Sequence, residues 1–220
     1  MKKVNSIDPL LARWDFEATQ EVASTVFPDG CRDLILKIST DGRPCWFVTD
    51  LVETAYTVSS TPGERYVGYR LRPAAQVDVP LLLEGARRRG GVDHAEIPAL
   101  LSEHVYIDPR LDEALMALSS TNRVRDAAIG LGVSQRTLER LIHSLTRRPP
   151  AYWRGLARAR RAGRAVATCH SVSFAEVASD HGYSDQSHMT RDFKQWFLMT
   201  PRTLRRQTDL LGLLSESGYD

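Results

Sequence analysis

Ala128-Ile-Gly-Leu-Gly132-Val-Ser134-Gln-Arg-Thr-Leu138-Glu-Arg140-Leu-Ile142 and Ala178-Ser-Asp-His-Gly182-Tyr-Ser184-Asp-Gln-Ser-His-Met189-Thr-Arg191-Asp-Phe193 are two versions of one pattern. Ala-xxx-Gly-x-Ser recurs at an offset of 50 residues, and Leu138-x-Arg140-x-Ile142 answers Met189-x-Arg191-x-Phe193 at 51, so the second copy has one extra residue in its turn. Each copy reads as helix, tight turn, helix. A small Ala lets two helices pack closely, and Gly accepts the left-handed conformation that ends the first one. Ser134 in the first copy, and Ser184 or Asp185 in the second, are suited to cap the following helix.

The polar faces of those second helices carry the chemistry. Turning Leu138, Leu141, Ile142 and Leu145 inward leaves Gln135, Arg136, Glu139, Arg140 and His143 outward. Turning Met189, Phe193 and Trp196 inward leaves Gln186, Ser187, His188, Thr190, Arg191 and Lys194 outward. The second helix of such a pair can lie in a major groove, where Arg reads guanine and Gln reads adenine, while Ser, Thr and Lys suit phosphate. A single exposed Arg is an ordinary solvated side chain. Two such faces in duplicated units point to double-stranded DNA.

Between the copies, Pro150 opens a helix predicted to reach Thr168. Its length, about 28 Å at 1.5 Å per residue, would set the two reading helices about one DNA turn apart. Arg154, Arg158, Arg160, Arg161 and Arg164 lie along it and are expected to include phosphate contacts. Further helices are predicted over Arg123–Leu131, Ser173–His181 and from Pro201 onward.

Charge agrees with this division. Residues 1–120 carry 13 Lys and Arg against 18 Asp and Glu, a net of −5, and residues 121–220 carry 16 against 9, a net of +7. A basic half attached to an acidic one suggests a polyanion partner for the basic half alone. The 42% hydrophobic and 25% charged composition is ordinary for a folded soluble protein. The N-terminal residues lack the apolar core of a secretory signal, and apolar runs such as Pro80-Leu81-Leu82-Leu83 are too short to span a bilayer, so a cytoplasmic protein is expected. Cys31, Cys45 and Cys169 stand too far apart for a zinc motif and read as buried free thiols. The histidines at 94, 104, 143, 170, 181 and 188 form no HxH or HExxH, so neither a metal nor a cofactor is indicated.

The first hundred residues read as short strands, Asp33–Ile38, Cys45–Thr49, Thr54–Ser59 and Tyr66–Leu71, with turn residues at Pro28-Asp29-Gly30, Asp41-Gly42 and Pro62-Gly63. Helices are predicted over Leu81–Arg89, ended by Gly90-Gly91, and over Asp108–Ser119. The polar break at 119–122 marks the domain boundary. The expected architecture is a small β-rich (α+β) module at 1–120, followed by an all-α domain of two helix-turn-helix units and a connecting helix at 121–220.

The run from Phe174 to Lys194, closing at Thr200-Pro201, resembles the signature of the AraC/XylS family of transcription regulators, and the resemblance extends from Val124 to Gln207. It implies two helix-turn-helix units acting at promoters as activator or repressor, with DNA and RNA polymerase as partners. Carried over by position, the base-reading places fall on Arg136, Glu139 and Arg140, and on Gln186, Ser187, His188, Thr190 and Arg191. Arg147 and Leu198 stand where the family commonly has Gly after each reading helix, so a different turn shape is expected there. Glu139 is awkward beside phosphate; it either accepts from cytosine N4 or pairs with Arg136 or Arg140.

Pro28–Leu36 and Gly68–Pro73 look like the small N-terminal module of a subset of these regulators. In the family that domain often senses a small-molecule effector or forms a homodimer, and one of those roles is implied here. Trp46, Tyr56, Tyr66 and Tyr69 either line a pocket or fill the core. Arg70 and Arg72 point to an anionic ligand or, more simply, to a cross-strand ion pair, while Asp29 and Asp33 read as turn and strand-start residues. The protein is read as a non-enzyme. The competing readings are a DNA-targeted alkyl-transfer repair protein using Cys31 beside Arg32, and a DNA-compacting protein whose affinity tracks salt alone.

Overall fold

The computed structural model describes residues 7–89, 95–169, 171–207 and 210–220. Its first part runs β1 (Leu10–Glu17), β2 (Val22–Val26), β3 (Asp33–Ile38), β4 (Pro44–Val48), β5 (Tyr56–Ser60), β6 (Arg65–Leu71) and β7 (Ala75–Val77), then α1 (Val79–Arg88), α2 (Ile97–His104) and β8 (Val105–Ile107). Helices follow to the end: α3 (Pro109–Ser120), α4 (Val124–Gly130), α5 (Gln135–Thr146), α6 (Pro150–Thr168), α7 (Phe174–Asp180), α8 (Gln186–Phe197), α9 (Pro201–Arg206) and α10 (Leu211–Ser215). A β-rich N-terminal region followed by a helical C-terminal domain is therefore the architecture.

The chain divides into two compact units. One holds the residues up to Ser24, Cys31–Leu51 and Ser59–Glu113; the other holds Thr25–Gly30, Val52–Val58 and Ala114–Asp220. The division falls between Glu113 and Ala114, within α3, and two short N-terminal segments belong to the helical unit.

In the first unit an antiparallel sheet has the order β1-β6-β3-β4. The four strands expected from sequence correspond to β3, β4, β5 and β6. The edge strand β1 was not anticipated: it pairs on one side only, and most of its side chains are exposed or half-buried, so it lacks a plain apolar alternation. What seats it is Trp14, whose indole lies across Gly68 so closely that a Cβ there would sit 2.0 Å from the ring. Trp14 Nε1 donates to Asp33 (3.0 Å), and the Arg70 guanidinium pairs with the same carboxylate at 3.2 Å. Arg70 is therefore committed to the cross-strand ion pair.

One face of the sheet packs against α1 and α2 through Leu34, Leu36, Val67, Leu71, Leu82, Leu100 and Leu101. Trp46 and Tyr69 belong to this core, stacked at 6.4 Å, and burial pushes the Tyr69 hydroxyl above its ordinary pKa. Tyr66 is also buried, donating to Glu64, whereas Tyr56 is exposed. Trp46, Tyr66 and Tyr69 are packing residues, not a pocket lining. The predicted Gly90-Gly91 stop, His94 and His170 lie outside the described residues. Of the three thiols only Cys31 is buried; Cys45 and Cys169 are exposed, correcting the expectation that all three are inside.

The second unit is built around α6. Trp153, Leu156, Ala157, Ala159, Ala162 and Val166 are fully buried, and small residues let neighbouring helices approach: a Cβ on Gly163 would meet Leu214 at 3.2 Å. Arg160, also wholly buried, donates to the carbonyls of Glu216 (2.9 Å), Pro28 (3.4 Å) and Leu214 (3.5 Å). Tyr219 completes this core; its hydroxyl donates to Leu115 O at 2.7 Å and its ring meets Trp153 edge-on.

Candidate nucleic-acid interface

Each helix-turn-helix pair is made by local chemistry. Gly132 (φ +67°) and Gly182 (φ +73°) carry the chain through the left-handed turn. Ser134 Oγ accepts from Thr137 N, and Asp185 Oδ1 accepts from His188 N at 2.7 Å, so Asp185 is the cap of α8. That backbone donor holds the Asp185 carboxyl below its ordinary pKa. The helix preceding α8 has a full capping box, with Ser173 and Glu176 bonding each other's backbone N–H groups. The helix preceding α5 has no side-chain cap.

On α5, Leu138, Ile142 and Thr146 are buried, and Gln135, Arg136, Arg140 and His143 are exposed. Glu139 is half-buried and accepts from Gln135 Nε2 at 2.8 Å. Of the two alternatives for Glu139 the ion pair is not formed: among the described residues none joins it to Arg136 or Arg140, and both guanidinium groups lie on the surface. On α8, Met189, Phe193, Trp196 and Phe197 are buried, and Gln186, Ser187, Arg191 and Lys194 are exposed. His188 and Thr190 are half-buried and turned toward their own helix: His188 Nδ1 lies 3.2 Å from Ser184 Oγ, and Thr190 Oγ1 donates to Gln186 O.

Arg147 (φ +58°) and Leu198 (φ +57°) adopt the left-handed conformation that Gly would take after each helix. The turn shape is therefore retained, at a backbone cost of roughly 1–2 kcal/mol for a non-Gly residue. After α5, Thr146 offsets part of this: its hydroxyl accepts from Arg148 N and from Trp153 Nε1.

The arginines of α6 behave differently from the phosphate contacts expected of them. Arg154 donates to Asn122 O and Arg161 to Ser119 O, both at 2.6 Å. Arg158 pairs with Asp192 on α8 and lies 4.4 Å from the Tyr183 ring centroid. Arg164 pairs with Asp220, and Arg160 is sealed inside. The connecting helix is a strut whose cations tie the unit together. Arg123, Arg125, Arg202 and Arg206 are further exposed cations of this unit, as is Arg147 in the turn after α5. A count of basic residues finds them only by elimination, once the others are seen to be occupied.

Cys31, the one candidate nucleophile, is 6% exposed, a closed position for a thiol that would have to reach alkylated DNA. No group of three or more potential metal ligands occurs among the described residues, and no helix among them is long and apolar enough to cross a membrane.

A family model described as a helix-turn-helix domain matches residues 127–207. Among solved structures, a transcriptional regulator of the AraC-type DNA-binding class from Chromobacterium violaceum is 28% identical, covering 46% of this chain and 92% of its own, with a TM-score of 0.42. The C-terminal domain of AraT, a response regulator from Geobacillus stearothermophilus, is 20% identical over 46% of this chain and 86% of its own (TM-score 0.42). ToxT from Vibrio cholerae, bound to a naphthalenyl butenoic acid, is 10% identical over 93% and 99% of the two chains (TM-score 0.49). No curated protein matches the chain. Residues 127–207, with two capped units on one connecting helix, therefore form a helix-turn-helix domain.

Proposed function

We propose that the protein is a sequence-specific transcription regulator that reads two adjacent major-groove segments with α5 and α8. The observation that supports this most is the pairing of two exposed polar faces, Gln135, Arg136 and Arg140 on α5 and Gln186, Ser187, Arg191 and Lys194 on α8, on helices joined by one 19-residue strut. Glu139, His188 and Thr190 contribute from the edges of these faces. RNA polymerase contact, cytoplasmic location and a homodimer formed through the N-terminal domain belong to the same reading.

Control by a small molecule is assigned to the N-terminal unit. An open cleft of about 1100 Å³ lies there between β7, β8 and the start of α1, lined by Val77, Asp78, Leu81, His104 and Tyr106 among others. Selection of bound sites from random DNA by the full chain, followed by Arg140→Ala and Arg191→Ala, tests the DNA-reading part. Each variant is expected to lose about 1–3 kcal/mol of discrimination at a few base pairs. Full selectivity in both would overturn the assignment, and affinity that tracks salt without sequence preference would favour DNA compaction.

A further inference from the structure

Residues 52–58 lie about 70 residues before the first helix-turn-helix unit in sequence, yet they belong to the helical unit. The second half of this strap is paired with β2 as part of β5, and its first half reaches the helices at Ala55, Val52 and Glu53. Ala55, 4% exposed, donates its backbone N–H to Trp196 O at 2.8 Å, in the last turn of α8. Val52 O accepts from the Tyr152 hydroxyl at 3.0 Å, in the first turn of α6, and Glu53 pairs with Arg148 in the α5–α6 corner. Arg148 in turn is bonded to Thr146, the last residue of α5, and lies 5.4 Å from the Tyr152 ring centroid. Tyr152 and Trp196 meet at 5.4 Å. A second segment, 25–30, adds Phe27 against Phe197 at 5.1 Å.

These partners are the trailing ends of both reading helices. A backbone acceptor in the last turn of α8 has no intrahelical partner of its own, so a donor from elsewhere fixes that end. The α5–α6 corner is fixed by the same seven-residue segment.

We propose that Glu53 and Ala55 are positioning residues for DNA reading: the strap joins the end of α8 to the α5–α6 corner and so sets the separation and rotation of the two reading helices. The proposal rests on α5 and α8 being the helices that read DNA. The strap touches neither polar face, so it governs the spacing of the two half-sites and leaves the bases read in each unchanged. Its flanks, ending at Leu51 and resuming at Ser59, belong to the N-terminal unit.

The test uses the full-length protein and the best sites selected from random DNA. Competition binding compares each site with versions whose two half-sites are moved apart or together by one base pair. Glu53→Ala and Tyr152→Phe are expected to reduce the discrimination between correct and shifted spacing by about threefold, the scale of one partly exposed ion pair or hydrogen bond. Ala55→Pro, which removes the donor to Trp196, should reduce it further. The charge exchange E53R with R148E should restore it, which a general loss of stability would not do. Glu53 is exposed, so its variants remain informative if Ala55→Pro does not fold. Unchanged spacing discrimination in Glu53→Ala and Tyr152→Phe, with Arg191→Ala still altering base preference, would overturn the strap's role. Unchanged base preference in both Arg140→Ala and Arg191→Ala would instead overturn the reading beneath it.

Discussion

The two helix-turn-helix units share a pattern but not a construction. In the second, α7 carries a capping box, α8 is capped by a carboxylate and buries three aromatic rings, and Asp192 is tied to the connecting helix through Arg158. In the first, α4 has no side-chain cap, α5 buries two aliphatic side chains and a threonine, and Ile129 and Val133 stand exposed beside the turn. The place on α5 that corresponds to Asp192 holds Leu141, so no equivalent ion pair is available there. Duplicated units with one pattern can thus be held by different forces, and the second is the more firmly seated.

The largest test of this contrast is in the cores. Phe193→Ala should cost about 3–5 kcal/mol in equilibrium unfolding, because removing this fully buried ring leaves a large cavity in the core beneath α8. Ile142→Ala, a smaller deletion in the first unit, should cost about 2–4 kcal/mol. An equal or reversed order would show that α5 is the better packed helix. Next comes DNA selectivity: Arg191→Ala is expected to lose more discrimination than Arg140→Ala, both within about 1–3 kcal/mol, because a firmly held helix keeps its bidentate geometry. Site selection with each variant measures this directly.

Smaller effects come from the caps and turns. Asp185→Ala and Ser134→Ala should each destabilise by about 1 kcal/mol. They differ in pH dependence. The lowered pKa of Asp185, set first by the His188 N–H, and that of Glu176, set first by the Ser173 hydroxyl, mean that both carboxylates stabilise the folded form when ionised. Their contribution is complete above the ordinary carboxylate range and is lost as pH falls through the lowered folded values. Ser134 does not titrate, so acid should loosen α7 and α8 before α5, visible as earlier hydrogen-exchange opening in the second unit. Equal acid sensitivity in the Asp185→Ala, Glu176→Gln double variant and the parent would remove this cause. Leu198→Gly should have the smallest effect, a gain of up to about 1 kcal/mol in unfolding free energy, since it relieves a left-handed non-Gly residue that is 66% exposed.

Much of the helical domain is legible in residue order because its signals are local. Pro150 and Thr168 bound the connecting helix as expected, Gly132 and Gly182 take positive φ, and the apolar faces of α5 and α8 follow from period alone. The exposed polar faces of α5 and α8 are correspondingly visible, apart from how far His188, Thr190 and Glu139 turn back to their own helices. The β-rich part is less legible. β1 and β2 lack a clear alternation, and their strand character comes from partners distant in sequence, such as Trp14 opposite Gly68.

The sequence by itself determined that two helix-turn-helix units follow a β-rich module, since caps, glycines and helical periodicity act over three or four residues. Only the tertiary structure decided what the arginines of α6 do and where residues 52–58 belong. Whether an Arg meets a phosphate or a carbonyl depends on which backbone arrives beside it. For Arg160 that backbone includes Glu216, 56 residues away, and Pro28, 132 residues away, and no local pattern encodes contacts at those separations.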